Sequence, residues 1–250
     1  MVFDFSGKTA IISGGASGMG LLSGQKLAEM GASVVLCDIN EERVKECAAE
    51  ICEKGGKAIG AVVDVRDYAQ IEAAVKLAHE TFGSVDILIT CAGGAEGRML
   101  QRNSDFKQID LDVIDWGLDV NLRGAIYFAR AVMPYMTEQK SGAIVTMGSV
   151  TGIEGSGSSV IYSIGKMGCA ELAKSLAIYG AEYGIRANCV SPGPVLTRPE
   201  MANMKTRLGR AAEVIEVVNL ILYLCSDEAA FVTGANYVID GGRTCGVLEG

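Results

Sequence analysis

The chain has 250 residues, enough to bury one large core, and its 49% hydrophobic and 21% charged composition is that of a globular protein. A net charge of −8 without a basic cluster argues against a nucleic-acid surface. No apolar run reaches membrane length, Met1–Ser6 lacks signal-peptide character, and the eight cysteines lack metal-ligand spacing, so a cytoplasmic protein with free thiols and no metal is expected.

Apolar and β-branched runs predict strands at about 8–13, 33–37, 58–63, 86–90, 142–148, 185–190 and 236–240. Helical spacing predicts helices between them, at about 18–30, 41–54, 68–82, 112–138, 160–183 and 212–225. This alternation is the mark of an α/β fold, a doubly wound, seven-stranded parallel sheet with helices on both faces, here read as one domain over 1–250. Ligands of such sheets bind at the carboxyl ends of the strands. Glycine-rich Gly14-Gly-Ala-Ser-Gly18-Met-Gly20 follows the first strand and opens a helix. Glycine lets backbone approach a pyrophosphate, and the helix N-terminus offers free N–H groups. The second strand ends in Asp38, 18 residues after Gly20, where a carboxylate accepts hydrogen bonds from an adenosine ribose and repels a 2′-phosphate. The one histidine, His79, falls inside the 68–82 helix, which argues against a histidine-based centre.

Two stretches differ from their surroundings, residues 96–112 and the short segment 198–208. Residues 96–112 are polar, with Arg98, Arg102, Asp105, Lys107 and Asp110. They read either as a solvated surface loop or as a rim over a substrate mouth. Further along stands the motif Tyr162-Ser-Ile-Gly-Lys166, with Ser149 thirteen residues upstream. A tyrosine is a poor base at its reference pKa of about 10. A lysine at i+4 shares its helix face, and the positive charge favours the phenolate. With a serine hydroxyl to bond the substrate oxygen, the group can move a proton on and off a carbinol oxygen.

The chain resembles the short-chain dehydrogenase/reductase family over essentially its whole length. The family glycine pattern appears as Ser13-Gly14-Gly-Ala-Ser-Gly18-Met-Gly20, with Ser in place of Thr. Asp64-Val65 matches the pair whose acid contacts adenine, and Asn121, Ser149, Tyr162 and Lys166 match the catalytic tetrad. Pro192-Gly193 and Thr197 match the segment that closes over the nicotinamide, and Asp240-Gly-Gly242 the end of the last strand. One departure stands out: the family's N-N-A-G is Thr90-Cys91-Ala92-Gly93 here, so both asparagine side chains that buttress this turn are missing. The resemblance implies a Rossmann fold, NAD as cofactor, and a homotetramer or homodimer built on the two long helices. It also implies roles: Tyr162 as base, Lys166 on Tyr162 and the nicotinamide ribose, Ser149 on the substrate oxygen, Asn121 holding a water, Val195 and Thr197 on the carboxamide. Ser17, Met19, Ile39, Ala92 and Gly93 complete the implied cofactor contacts.

The expected activity is NAD-dependent interconversion of a secondary alcohol and its ketone. A 3-oxoacyl thioester reductase is an alternative that Asp38 opposes, because that role usually wants NADPH. A non-catalytic nucleotide-binding regulator is the alternative from another class, opposed by the intact tetrad. The expected substrate pocket holds Gly94, Glu96, Val150, Gly152, Glu154, Ser156, Ile161 and Pro194. Glu154 and the polar loop suggest a polyol or sugar derivative, with a hydroxysteroid or other alicyclic alcohol still open. The substrate lid, about 198–208, is short, so the pocket is expected to be open or completed by a partner. Apolar residues on more than one side of the long helices (Ala125, Ile126, Phe128, Val132; Ala170, Leu172, Ala173, Ile178) suggest a partner subunit, and the tail with Val247 and Leu248 a reach across to it.

Overall fold

Seven strands form one sheet: β1 (Thr9–Ser13), β2 (Ser33–Asp38), β3 (Lys57–Val62), β4 (Ile87–Thr90), β5 (Gly142–Met147), β6 (Ile185–Pro192) and β7 (Asn236–Ile239). The computed structural model describes residues 3–103 and 105–246. All pairings are parallel, in the order β3-β2-β1-β4-β5-β6-β7. Strands β1, β4 and β5 are buried at every position because helices cover both faces, which is why they read as continuous apolar runs rather than alternating ones. The order reverses between β1 and β4, and the crevice beyond their carboxyl ends is where such sheets bind ligands.

The helices are α1 (Gly18–Glu29), α2 (Glu41–Glu53), α3 (Tyr68–Phe82), α4 (Glu96–Leu100), α5 (Leu111–Leu118), α6 (Gly124–Gln139), α7 (Val150–Glu154), α8 (Val160–Gly180) and α9 (Val214–Cys225). One core layer joins α1 and α9 to the sheet through Leu27, Leu36, Ile89, Val218 and Ile221; the other joins α3 and α6 through Val35, Ile71, Leu88, Phe128 and Ile144. Among the described residues no helix is long and apolar enough to cross a membrane.

The predicted 112–138 helix is in fact two helices joined by a π-helical turn at Asp119–Arg123, a register defect that hydropathy does not signal. Part of the 96–112 stretch is ordered by the short helix α4, and Arg102 bonds both Asp110 and Asp112 across it. His79 is exposed on α3 with its ring 4.8 Å from that of Tyr135.

Beyond β7 the chain turns back under Asp240. Its carboxylate accepts from the Gly242 amide at 2.8 Å and from the Thr244 amide and hydroxyl at 2.7 and 2.8 Å. Burial alone raises the Asp240 pKa, but the Thr244 and Gly242 donors outweigh it and hold the carboxyl below its ordinary value. A lowered folded pKa means a stabilisation that is complete above the unfolded value of about 4 and lost as pH falls through the folded one. Asp240→Asn should therefore destabilise the protein by about 1–3 kcal/mol at pH 7. The gap to the parent should shrink as pH drops below about 4, read from urea unfolding at both pH values; a gap that does not change with pH would refute this account.

Candidate active site

The glycine turn after β1 is built for close approach. A Cβ on Gly20 would lie 2.2 Å from the Gly14 carbonyl oxygen, so no side chain fits, and Gly14 itself has φ +70°. Helix α1 then begins at Ser17 without a side-chain cap, unlike α2 and α3, whose first amides are taken by Asn40 and Asp67. The first amides of α1 are left to bind an anion from outside the chain. At the end of β2, the Asp38 carboxylate accepts from the Ala16 amide at 3.1 Å and the Asn40 amide at 3.0 Å. Each oxygen keeps acceptor capacity for a diol. Asp64 is clamped by Arg66, at 2.6 Å from Nη2, and this pairing holds its carboxyl below the usual range.

The turn after β4 sits against α8. A Cβ on Gly93 would meet Asn121 Oδ1 at 2.7 Å and Lys166 Nζ at 2.9 Å, so only glycine lets these groups close around the backbone. Asn121 lies in the π-helical turn, buried, and its amide bridges three carbonyl and amide groups: Oδ1 accepts from Gly94 N at 2.9 Å, and Nδ2 donates to Gly94 O at 3.0 Å and Gly117 O at 2.9 Å. Lys166, 5% exposed, donates to the Met147 carbonyl at 3.1 Å and stands 5.7 Å from the centre of the Tyr162 ring. Two of its N–H donors are left for other partners. Ser149 caps α7, its Oγ accepting from Thr151 N at 3.2 Å, which leaves its own proton free to be donated.

These elements enclose a cavity of about 710 Å³. Every residue expected to touch the cofactor lines it: the turn residues Gly14, Ser17, Gly18, Met19 and Gly20; Asp38, Ile39, Asp64 and Val65; Cys91, Ala92 and Gly93; and Pro192, Gly193, Val195 and Thr197. Ser149, Tyr162 and Lys166 line it too, while Asn121 stands behind its wall, bonded to Gly94. The half-buried Cys91 has its thiol pushed up to about 12 by burial, which nearby Lys166 only partly offsets. Where the family asparagines are missing, Ser13 holds the turn instead, accepting from Cys91 N at its carbonyl and from Ala92 N at its hydroxyl, and the buried Thr90 hydroxyl has no hydrogen-bond partner among the described residues.

The expected substrate residues divide. Gly94, Val150 and Ser156 line the cavity; Gly152, Ile161 and Pro194 do not. Glu96 is not at the mouth but buried, 1% exposed, because α4 turns it inward against Gly117, and its Oε2 has no hydrogen-bond partner among the described residues. Glu154 also lies outside the cavity, since Arg243 captures its carboxylate at 3.0 Å. Arg98, Met99, Trp116, Met201 and Met204 also line the cavity. Sequence reading placed Arg98 on a polar loop and passed over the others. The signal available was the one tryptophan, together with two methionines three apart in the lid.

The lid is braced at both ends. Its base is zipped by Leu196 N to Ala212 O and Ala212 N to Pro194 O. Its far end is tied to the C-terminal segment of the same chain, by Leu208 N to Gly241 O and Arg243 Nη1 to Lys205 O. Val247 and Leu248 lie outside the described residues.

A family model described as enoyl-(acyl carrier protein) reductase matches residues 14–244. The chain belongs to the short-chain dehydrogenase/reductase family. It is 38% identical to trans-4-hydroxycyclohexanecarboxylate dehydrogenase of Sinomonas cyclohexanicum, over 96% of this chain and 93% of that one. It is also 38% identical to a 3-alpha-(or 20-beta)-hydroxysteroid dehydrogenase of Mycobacterium tuberculosis, over 97% and 92% of the two chains. The solved structure of gox2181 superimposes with a TM-score of 0.89 at 31% identity, covering 97% of this chain and 98% of that one. The family membership makes this an oxidoreductase whose relatives include dehydrogenases acting on hydroxyl groups.

Proposed function

We propose that this protein is an NAD-dependent dehydrogenase interconverting a secondary alcohol and its ketone. The observation that carries the reading is that Ser149, Tyr162 and Lys166 share one cavity with the glycine turn and Asp38, with Asn121 directly behind it. Those residues fit a dinucleotide: the uncapped start of α1 suits the pyrophosphate, Asp38 the adenosine ribose, and Pro192–Thr197 the nicotinamide end. Bound there, the nicotinamide supplies the acceptor for the two electrons and the hydrogen leaving the carbinol carbon.

The protein's own groups manage the proton. Tyr162 takes it from the alcohol oxygen, with Lys166 Nζ 5.7 Å from the centre of its ring. Ser149 donates its free hydroxyl proton to the same oxygen and so fixes where it sits. Lys166, held by Met147, keeps two donors for Tyr162 and the nicotinamide ribose. Asn121 fixes the wall behind them, and the remaining lone pair on its Oδ1 can hold a water on the path from Lys166 to solvent. The apolar Met99, Trp116, Met201 and Met204 suit an alicyclic ring better than a polyol. The relatives acting on a hydroxycyclohexane acid and on hydroxysteroids support that preference.

Assembly as a homodimer or homotetramer belongs to the same proposal. Part of the suspected second stripe is core of this chain, since Phe128, Val132 and Ala173 are fully buried. What remains outside on α6 and α8 is Ile126, Ile164, Met167, Ile178 and Tyr179, an apolar surface that a second copy would cover.

Three outcomes are expected. Tyr162→Phe should cut turnover by about 10² or more while NAD binding, followed by calorimetry, persists; a near-parental rate would refute the mechanism. NAD should exceed NADP by roughly a hundredfold in kcat/KM, and Asp38→Ala should narrow the gap; equal use by the parent would sink the cofactor assignment. Light scattering at micromolar concentration should give a dimer or tetramer, and a monomer would remove the α6–α8 interface.

A further inference from the structure

One charged group in the cavity has no task in the chemistry above. Arg98, in the middle of α4, lines the cavity and folds over Gly94: a Cβ placed on Gly94 would lie 3.0 Å from Arg98 Nη2. Gly94 is the residue whose amide and carbonyl are both held by Asn121, and Gly93 before it touches Lys166. The guanidinium therefore lies beside the catalytic wall.

An arginine on a surface helix normally finds an acid, and the acids nearest in sequence are all unavailable to it. Arg102 takes Asp110 and Asp112. Glu96 is two residues away on α4, a spacing that turns side chains apart, and it is buried against Gly117. The cavity's other arginines differ: Arg66 is spent on Asp64, and Arg198 lies 4.0 Å from Glu200. Among the described residues Arg98 makes no ion pair or hydrogen bond, yet it lines a cavity beside Met99, and Trp116, Met201 and Met204 line the same cavity. A planar cation with five donors, set against an apolar wall, matches a carboxylate carried on a hydrocarbon ring. In a protein of net charge −8, a local cation is also needed if an anion is to enter.

We propose that Arg98 is a specificity-determining residue that receives a carboxylate on the substrate, so that the enzyme acts on hydroxy acids or keto acids with an apolar body. This rests on the dehydrogenase reading, and the test separates the two. Binding of cyclohexanecarboxylate and of its neutral amide to the enzyme–NAD complex is measured by calorimetry, with Trp116 fluorescence as a second signal. The acid should bind at least tenfold tighter than the amide, and in Arg98→Gln that ratio should collapse toward 1. Arg98→Lys should keep part of it, because the charge survives while the bidentate fork is lost. Arg98 is exposed, so the variants should melt with the parent, which excludes misfolding as the cause. A parent with no preference for the acid, or an Arg98→Gln enzyme that keeps it, overturns the proposal.

Turnover is then read with 4-hydroxycyclohexanecarboxylate and its amide. Oxidation of the amide alone defeats the anion site and leaves the dehydrogenase reading standing. Acid-selective binding that depends on Arg98, without oxidation of either alcohol, upholds the anion site and defeats that reading.

Discussion

A primary amide has two donor hydrogens and one carbonyl oxygen, and Asn121 commits all three inside the protein. Its partners belong to segments far apart in the chain: the turn after β4 and the end of α5. Each bond contributes about 1 kcal/mol net, but breaking one strands a buried peptide group at about 1–3 kcal/mol. The amide reaches both segments because it sits in a π-helical turn, where the helix register slips, and because Gly93 presents no side chain to stop it. With the amide in place, Gly93 lies against Lys166, and Lys166 reaches back to Met147 at the end of β5. The carboxyl ends of β4 and β5 are thereby fixed to α8, which carries Tyr162 and Lys166.

The sheet was legible because its determinants are local. A parallel strand covered on both faces must be apolar throughout, and residues such as Ala10-Ile-Ile12 and Leu88-Ile89 announce this without reference to anything distant. The nucleotide side was legible for a related reason: glycines that tolerate no Cβ and an acid at a strand end are demanded by backbone geometry. The substrate side was not. Glu154 is expected in the pocket from sequence, yet its carboxylate pairs with Arg243, 89 residues later. Glu96 was expected at the rim as a charged residue in a polar stretch, but α4 rotates it into the interior. The π-helical turn was also invisible, since a one-residue slip of hydrogen bonding leaves the hydrophobic pattern almost intact.

This difference in legibility follows from the two ends of the cavity. The nucleotide end is made of backbone amides and short side chains in fixed conformations. The substrate end is made of long side chains, chiefly Met99, Met201, Met204 and Arg98, on short helices and turns. Methionine is unbranched and adapts to the shape it meets. Such a wall binds apolar bodies of several shapes, so discrimination has to come from a charged or hydrogen-bonding group placed among the methionines. Arg98 is the group in that position that no carboxylate of the described chain neutralises.

A short lid would ordinarily leave such a wall loose, because few residues means few contacts. Here the shortage is met from the C-terminus of the same chain. Asp240 folds the backbone after β7, the Gly241 carbonyl accepts from Leu208 N, and Arg243 joins the lid at Lys205 O to α7 at Glu154. Arg243 thus connects the element that carries Ser149 at its cap to the segment that carries Met201 and Met204. The Glu154 carboxylate does not line the cavity; through Arg243 it links the helix after the serine to the lid. A residue read as a substrate contact is in the structure an ion-pair partner between two walls of the site, a role for which a charged side chain is suited.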